Sequence, residues 1–145
     1  MLALARYSSV GMPDHGILYH LVPKAKWEEL KTTQTKYFPP TYEQDGFIHL
    51  TKEAELLLKV ANHFYTDVVG DYIVLSIESS KLTSEVKFEP AADVGNKKSE
   101  GLGEDDKPLL FPHLYGTVDF ESVAKELPVK RNEAGKFLSI QFGDV

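Results

Sequence analysis

Apolar residues fall along this chain in two rhythms. Short runs rich in aliphatic and aromatic residues, bounded by Pro, Gly or polar clusters, predict strands over 17–22 (ILYHLV, stopped by Pro23), 46–50 (GFIHL), 71–78 (DYIVLSIE), 85–88 (EVKF) and 109–116 (LLFPHLYG). Pro112 inside the last run predicts an edge strand or a bulge. Residues 129–131 and 136–142, separated by Asn132-Glu133-Ala134-Gly135, read as a terminal hairpin. The second rhythm is helical. Trp27 and Leu30 lie three apart in a short helix over 24–31. Leu57, Val60, Ala61 and Phe64 form an i, i+3, i+4, i+7 stripe behind Thr51, whose hydroxyl is placed to cap it. Phe120, Val123, Ala124 and Leu127 repeat that stripe, predicting a last helix capped by Asp119 and ended by Pro128.

Two stretches have no period. Residues 32–44, with Pro39-Pro40, predict a loop able to border a pocket. Residues 89–107 carry Gly95, Gly101, Gly103 and the acidic run Glu104-Asp105-Asp106, and read either as a lid or as a solvated insertion. With 145 residues the expectation is an N-terminal extension over 1–16 and a single domain over 17–145. Hydrophobic residues at 42% are enough to form a packed core. The absence of cysteine excludes disulfides and thiol chemistry and fits a reducing, cytoplasmic setting. The net charge of -6, with scattered Lys and Arg, gives no basic face for general nucleic-acid binding. No apolar run approaches the roughly 20 residues that a membrane span needs.

Three of the five histidines sit in the same dipeptide within extended segments: Tyr19-His20-Leu21, Ile48-His49-Leu50 and Pro112-His113-Leu114. Alternation along a strand sends each histidine to the face opposite its leucine, so Phe47, His49 and Thr51 share a face, as do Phe111, His113 and Tyr115. Aromatic rings beside polar tips suit a flat or phosphorylated ligand. Imidazole can bind an anion, accept from a hydroxyl or move a proton. The structural alternative is that these histidines are bonded to backbone and selected for fit. No carboxylate is placed beside them by sequence, and no His-x-His or His-x-x-x-His spacing supports a metal, so none is expected. There is no Gly-x-Ser-x-Gly elbow, and Gly101-Leu102-Gly103 is not a phosphate loop. His63 stands near a helix C-terminus, where the helix dipole favours a cation. Its neighbours Asn62 and Tyr65 reach the pocket if that helix end borders it.

The segments ILYHLVPKAKWEEL, DGFIHLT, VANHFY, IVLSIESSKL, VKFEP and FPHLYG resemble the family catalogued as domain of unknown function 952, over residues 17–123. That family looks like a member of the ADP-ribosyltransferase superfamily, which implies an α+β fold with a split, curved mixed β-sheet and short flanking helices. By that resemblance His20 would contact a ribose, and Gly46-Phe47-Ile48-His49-Leu50-Thr51 would lie against nicotinamide, with Ile48 standing where a stacking tyrosine is expected. The transferase glutamate has no counterpart; Glu121 lies on a predicted helix, and FPHLYG offers His113 and Tyr115 instead. The RNA 2'-phosphotransferases of that superfamily employ arginine, and the arginines here are Arg6 and Arg131. The resemblance implies a pocket of His20, His49, His113, Phe47, Thr51 and Tyr115 for a nucleotide-like or phosphorylated small molecule, with NAD or a derivative as the cofactor candidate. One histidine would act as acid or base in transfer or hydrolysis at a ribose. The alternative is a non-catalytic ligand-binding or protein-interaction module that has lost that chemistry.

Overall fold

The run YIVLSIE is apolar on both faces of its strand, and such a segment is stable only when covered above, below and at both edges. In a computed structural model of the protein, which describes residues 14–99 and 110–142, this run is β3 (Tyr72–Glu78), buried over nearly its whole length. β1 (Ile17–Pro23) pairs with one of its edges and β6 (Val123–Arg131) with the other, while β7 (Phe137–Ile140) extends the sheet to the order β1-β3-β6-β7. A second sheet has the order β2-β5-β4, built from β2 (Ile48–His49), β4 (Glu85–Pro90) and β5 (Leu110–Tyr115). The sheet is therefore split, as the resemblance implies, but the strand pairings among the described residues are antiparallel rather than mixed. Tyr19 and Thr51 join the halves through two backbone hydrogen bonds of 2.8 and 2.9 Å.

The core lies between and beside these sheets. Leu18, Val22, Ile48, Leu75, Ile77 and Leu114 are closed off by Trp27 and Leu30 of α1 (Lys24–Thr33). The indole N–H of Trp27 donates to Glu126 at 2.9 Å, so the ring is held by a polar contact as well as by burial. A short α2 (Tyr42–Asp45) interrupts the first loop. Leu57 and Ala61 of α3 (Ala54–Phe64) pack with Leu21, Val74, Leu127 and Phe137 on the other side.

Three expectations fail for identifiable reasons. The helix over 120–127 is instead one 3-10 turn, Phe120–Ser122, followed by β6. Leu127 lies opposite Val74, and the hydrogen-bonding demand of the buried β3 edge overrides the helical spacing. Asp119 does not cap a helix with its side chain, because its carboxylate accepts from the Thr83 backbone N–H and hydroxyl. Nor does Thr51 cap α3. It is buried in the bridge to Tyr19, and Glu53 stands at the cap position without a side-chain bond. The acidic run 104–106, the two glycines beside it and residues 1–13 of the expected extension lie outside the described residues.

Pro112 and Pro128 both occupy strands that have neighbours on two sides, against the expectation of an edge for the first and a helix stop for the second. The register resolves both. In an antiparallel ladder the N–H and C=O of one residue face the same neighbour. Leu50 donates to Pro112 O at 3.0 Å and Gln141 donates to Pro128 O at 3.0 Å, so the missing proline N–H groups face β2 and β7, not β4 and β3. Each proline returns no hydrogen bond, and the partner strand ends one residue earlier, at His49 and at Ile140.

The terminal hairpin turns at Gly135, where φ is +94° and an added Cβ would lie 2.2 Å from the carbonyl oxygen of Thr66. Because that neighbour is backbone, Gly135→Ala should lower stability by about 1–3 kcal/mol in urea unfolding, with the slope against denaturant unchanged.

Candidate functional site

Strand register makes the site. His49 of β2 is the cross-strand partner of His113 of β5, and Lys87 of β4 lies opposite His113 on the far side. Residues two apart share that face, so Phe111, Tyr115 and Glu89 join the row, while Ile48, Leu114, Val86 and Phe88 turn into the core. The Phe47 ring stacks on His113, centroids 4.0 Å apart and planes 15° apart, and lies 5.4 Å from Tyr115. His20 arrives from the other sheet, since the Tyr19–Thr51 bridge sets β1 beside the chain leaving β2.

Hydrogen bonding fixes the protons on each ring. Nδ1 of His20 lies 2.8 Å from the carbonyl of His49, which only accepts, so Nδ1 carries the proton. Nε2 then accepts from the Tyr37 hydroxyl at 2.7 Å. Burial drives the His20 pKa down to about 4, with the bond to His49 opposing that shift, and the ring is neutral at pH 7. Burial likewise lowers His49 and His113 against the pull of their carboxylate partners. His49 Nε2 lies 2.9 Å from Asp45, and His113 Nδ1 lies 2.8 Å from Glu89, which also accepts from the Tyr115 hydroxyl at 2.7 Å. The bonds from Tyr115 and His113 hold the Glu89 carboxyl below its usual range, and the same carboxylate pushes the Tyr115 phenol up to about 12. An ionised carboxylate only accepts, so each partner nitrogen is protonated and the opposite nitrogen, His49 Nδ1 or His113 Nε2, keeps its lone pair. Neither has a hydrogen-bond partner among the described residues.

The three rings line one cavity of about 30 Å³. Thr51, Tyr65, Tyr19, Phe64 and Phe111 complete its walls, and Ala91, Ala92 and Val94 close it; no Lys, Arg, Asp or Glu lines it. The closing segment is tied down from three sides. Asp45 accepts the Gly95 N–H at 3.1 Å, His63 Nε2 donates to Lys98 O at 2.8 Å, and Lys97 Nζ bonds Phe64 O and Asp67. As described, the space is that of a water molecule or two, less than a drug-sized or nucleotide-sized guest needs.

The structure thus brings together His20, His49, His113, Thr51 and Tyr65. Phe47 stacks on His113 and Tyr115 bonds Glu89, and neither lines the cavity. Asn62 does not belong to it: its amide donates to Phe137 O and accepts from Phe137 N, clamping β7 to α3. Asp45, Glu89 and Tyr37 escaped sequence reading, and the two acids correct the expectation that no carboxylate accompanies the histidines. Only the i, i+4 spacing of Asp45 and His49 hinted at one pair. Glu89 reaches His113 solely through the β4–β5 register, and Tyr37 comes from an aperiodic loop. Among the described residues no cluster of three or more histidine or acidic side chains is arranged to hold a metal.

A strand-built α+β domain with paired imidazole–carboxylate contacts over a small cavity is the class that this geometry defines. The chain belongs to the family described as "Protein of unknown function (DUF952)", which matches residues 21–126. Its fold is shared with the crystal structure of protein CC0527 from Caulobacter crescentus, at 22% identity and a TM-score of 0.63, covering 84% of this chain and 93% of that one. The solution structure of CC0527 is similar at 23% identity and a TM-score of 0.51, covering 82% and 89%. No curated protein matches the chain. Among the described residues no helix is long and apolar enough to cross a membrane.

Two measurements check the site's electrostatics. Between about pH 6.5 and 4 the unfolded His20 binds a proton that the folded one refuses, so stability should be complete above pH 6.5 and fall as the pH drops, by about 3 kcal/mol near pH 4 in urea unfolding at stepped pH. Tyr37→Phe removes the donor to a buried ring nitrogen and should cost about 1–3 kcal/mol at pH 7.

Proposed function

We propose that the protein binds a nucleotide-like small molecule, with NAD or a derivative as the candidate, and acts at its ribose. The observation carrying this reading is the pair of lone-pair nitrogens, His49 Nδ1 and His113 Nε2, each on a ring whose other nitrogen is bonded to a carboxylate. Such a ring is oriented, has its tautomer fixed and is stabilised when it takes a proton, which are the properties of a general base. His113 is the stronger candidate, because Phe47 holds its plane and Glu89 stands behind it. In transfer or hydrolysis, His113 Nε2 would take the proton of the attacking hydroxyl or water as its oxygen bonds to the anomeric carbon and the base departs.

The resemblance to ADP-ribosyltransferases enters here as part of the proposal. It is supported by the split sheet and by His20 on the first strand lying beside the GFIHL segment. Two of its details need revision. Ile48 is fully buried in the core and is unable to stack on a ligand. Burial lowers the pKa of all three histidines and no cation lines the cavity, so they suit ribose hydroxyls better than a phosphate. The small cavity and the two satisfied nitrogens of His20 favour the second reading, a binding or interaction module without turnover.

Isothermal titration with NAD, ADP-ribose and nucleosides tests the first reading. Saturable binding by at least one of them is expected, weakened about tenfold or more by His113→Ala in a variant that keeps the native unfolding midpoint. Absence of heat with all of them overturns the proposal. Binding with no released nicotinamide or transferred product in a long incubation selects the non-catalytic reading.

A further inference from the structure

The edges of the two sheets are closed unequally. Among the described residues, β1 gives its outer side to Thr51, and β7 has the N–H and carbonyl of Phe137 taken by the Asn62 amide. β4 ends the second sheet without such cover. Its backbone directions follow from Pro112, whose carbonyl turns to Leu50 and away from β4. Phe88 lies opposite Pro112, so this pair exchanges no hydrogen bonds, and alternation sends the backbone groups of Val86, Phe88 and Pro90 to the open side while Glu85, Lys87 and Glu89 bond to β5. The Val86 and Phe88 N–H groups have no partner among the described residues. Such an edge is a template for another strand.

Charge decides which strand fits. Lys87 and Glu89 lie two apart on the outer face with opposite signs. A second β4, antiparallel and centred on Phe88, would set Lys87 opposite Glu89 and Glu89 opposite Lys87, in positions without backbone bonds where side chains lie closest. Centring on Lys87 would instead oppose lysine to lysine and Glu85 to Glu89. Centring on Val86 would carry Phe88 against Ser84, which precedes the strand. One carboxylate oxygen is also waiting. Both bonds that Glu89 receives, from His113 at 2.8 Å and from Tyr115 at 2.7 Å, end on Oε1, and Oε2 has no partner among the described residues. Lys87 of the same chain does not take it; its Nζ lies over the Tyr115 ring, 5.0 Å from the centroid.

We propose that the protein forms a two-fold dimer by antiparallel pairing of β4 with β4 of a second copy, centred on Phe88, which seats Lys87 of each copy on Glu89 of the other. The sheet then runs unbroken in the order β2-β5-β4-β4-β5-β2, an isologous contact. Each Phe88 N–H donates to the carbonyl of the other Phe88, and each Val86 N–H to the carbonyl of the other Pro90, where the missing proline N–H ends the ladder. The partly buried Phe88 side chains meet across the axis. The second copy thereby contributes a residue to the candidate site, because its Lys87 pairs with the carboxylate that orients His113. This contact is independent of what the cavity binds.

The test is sedimentation velocity on the full chain from about 10 μM to about 1 mM in low salt, since so short an interface gives a weak dimer, with Kd on the order of 100 μM. Amide hydrogen exchange over the same range should slow about fivefold at Val86 and Phe88 and change little at Lys87 and Glu89, which already bond to β5. Lys87→Glu, in protein that keeps the native unfolding midpoint, should be monomeric, and so should Glu89→Lys. Mixed together they should associate, because each charge then meets its opposite. If Glu89→Lys does not fold, the exchange pattern and the Lys87→Glu result decide alone. A monomer at every concentration, a dimer whose Val86 and Phe88 amides exchange as in the monomer, Lys87→Glu dimerising like the native chain, or two folded variants that stay apart when mixed would each overturn the proposal.

Discussion

The two backbone hydrogen bonds between Tyr19 and Thr51 hold the structure's halves in register, and the rest of the site follows from them. Successive residues of a strand turn their backbone groups to opposite sides, so Leu50 faces Pro112 of β5 while Thr51 exchanges both of its hydrogen bonds with Tyr19 of β1. The same alternation turns the carbonyl of His49 toward β1, where it meets His20 Nδ1. One bridge thus lets three histidines far apart in sequence share a wall.

Electrostatics then sets what those rings are. Burial alone would make them inert neutral groups, as it does for His20, whose two nitrogens are both occupied. A carboxylate on one nitrogen of His49 and of His113 fixes the tautomer and opposes, without overcoming, the desolvation that lowers their pKa. His20 is therefore a satisfied sheet histidine, whereas His49 and His113 each have one nitrogen bonded to a carboxylate.

Much of this was legible beforehand, and the gaps have physical causes. Alternation in GFIHL and FPHLYG correctly placed His49 and His113 on one face, and the α3 stripe correctly buried Leu57, Ala61 and Phe64. Periodicity misled at 120–127, where Phe120, Val123 and Leu127 fit a helix locally but the open edge of β3 demanded a strand. Asp45, Glu89 and Tyr37 were hidden because their contacts arise from register and loop placement, which no local pattern encodes. Asn62 shows the converse, a polar residue at a suggestive position whose hydrogen bonds are wholly taken by Phe137.

Asp45 serves two masters. Its carboxylate receives the Gly95 N–H through both oxygens and the His49 ring through one, and Gly95 packs so closely that an added Cβ would lie 2.8 Å from the Thr41 methyl. Any displacement that lifts Gly95 away hands the whole negative charge to His49 and makes that imidazole more proton-hungry. The anchoring of Gly95 and the basicity of His49 thus draw on one carboxylate, and each tempers what it gives to the other.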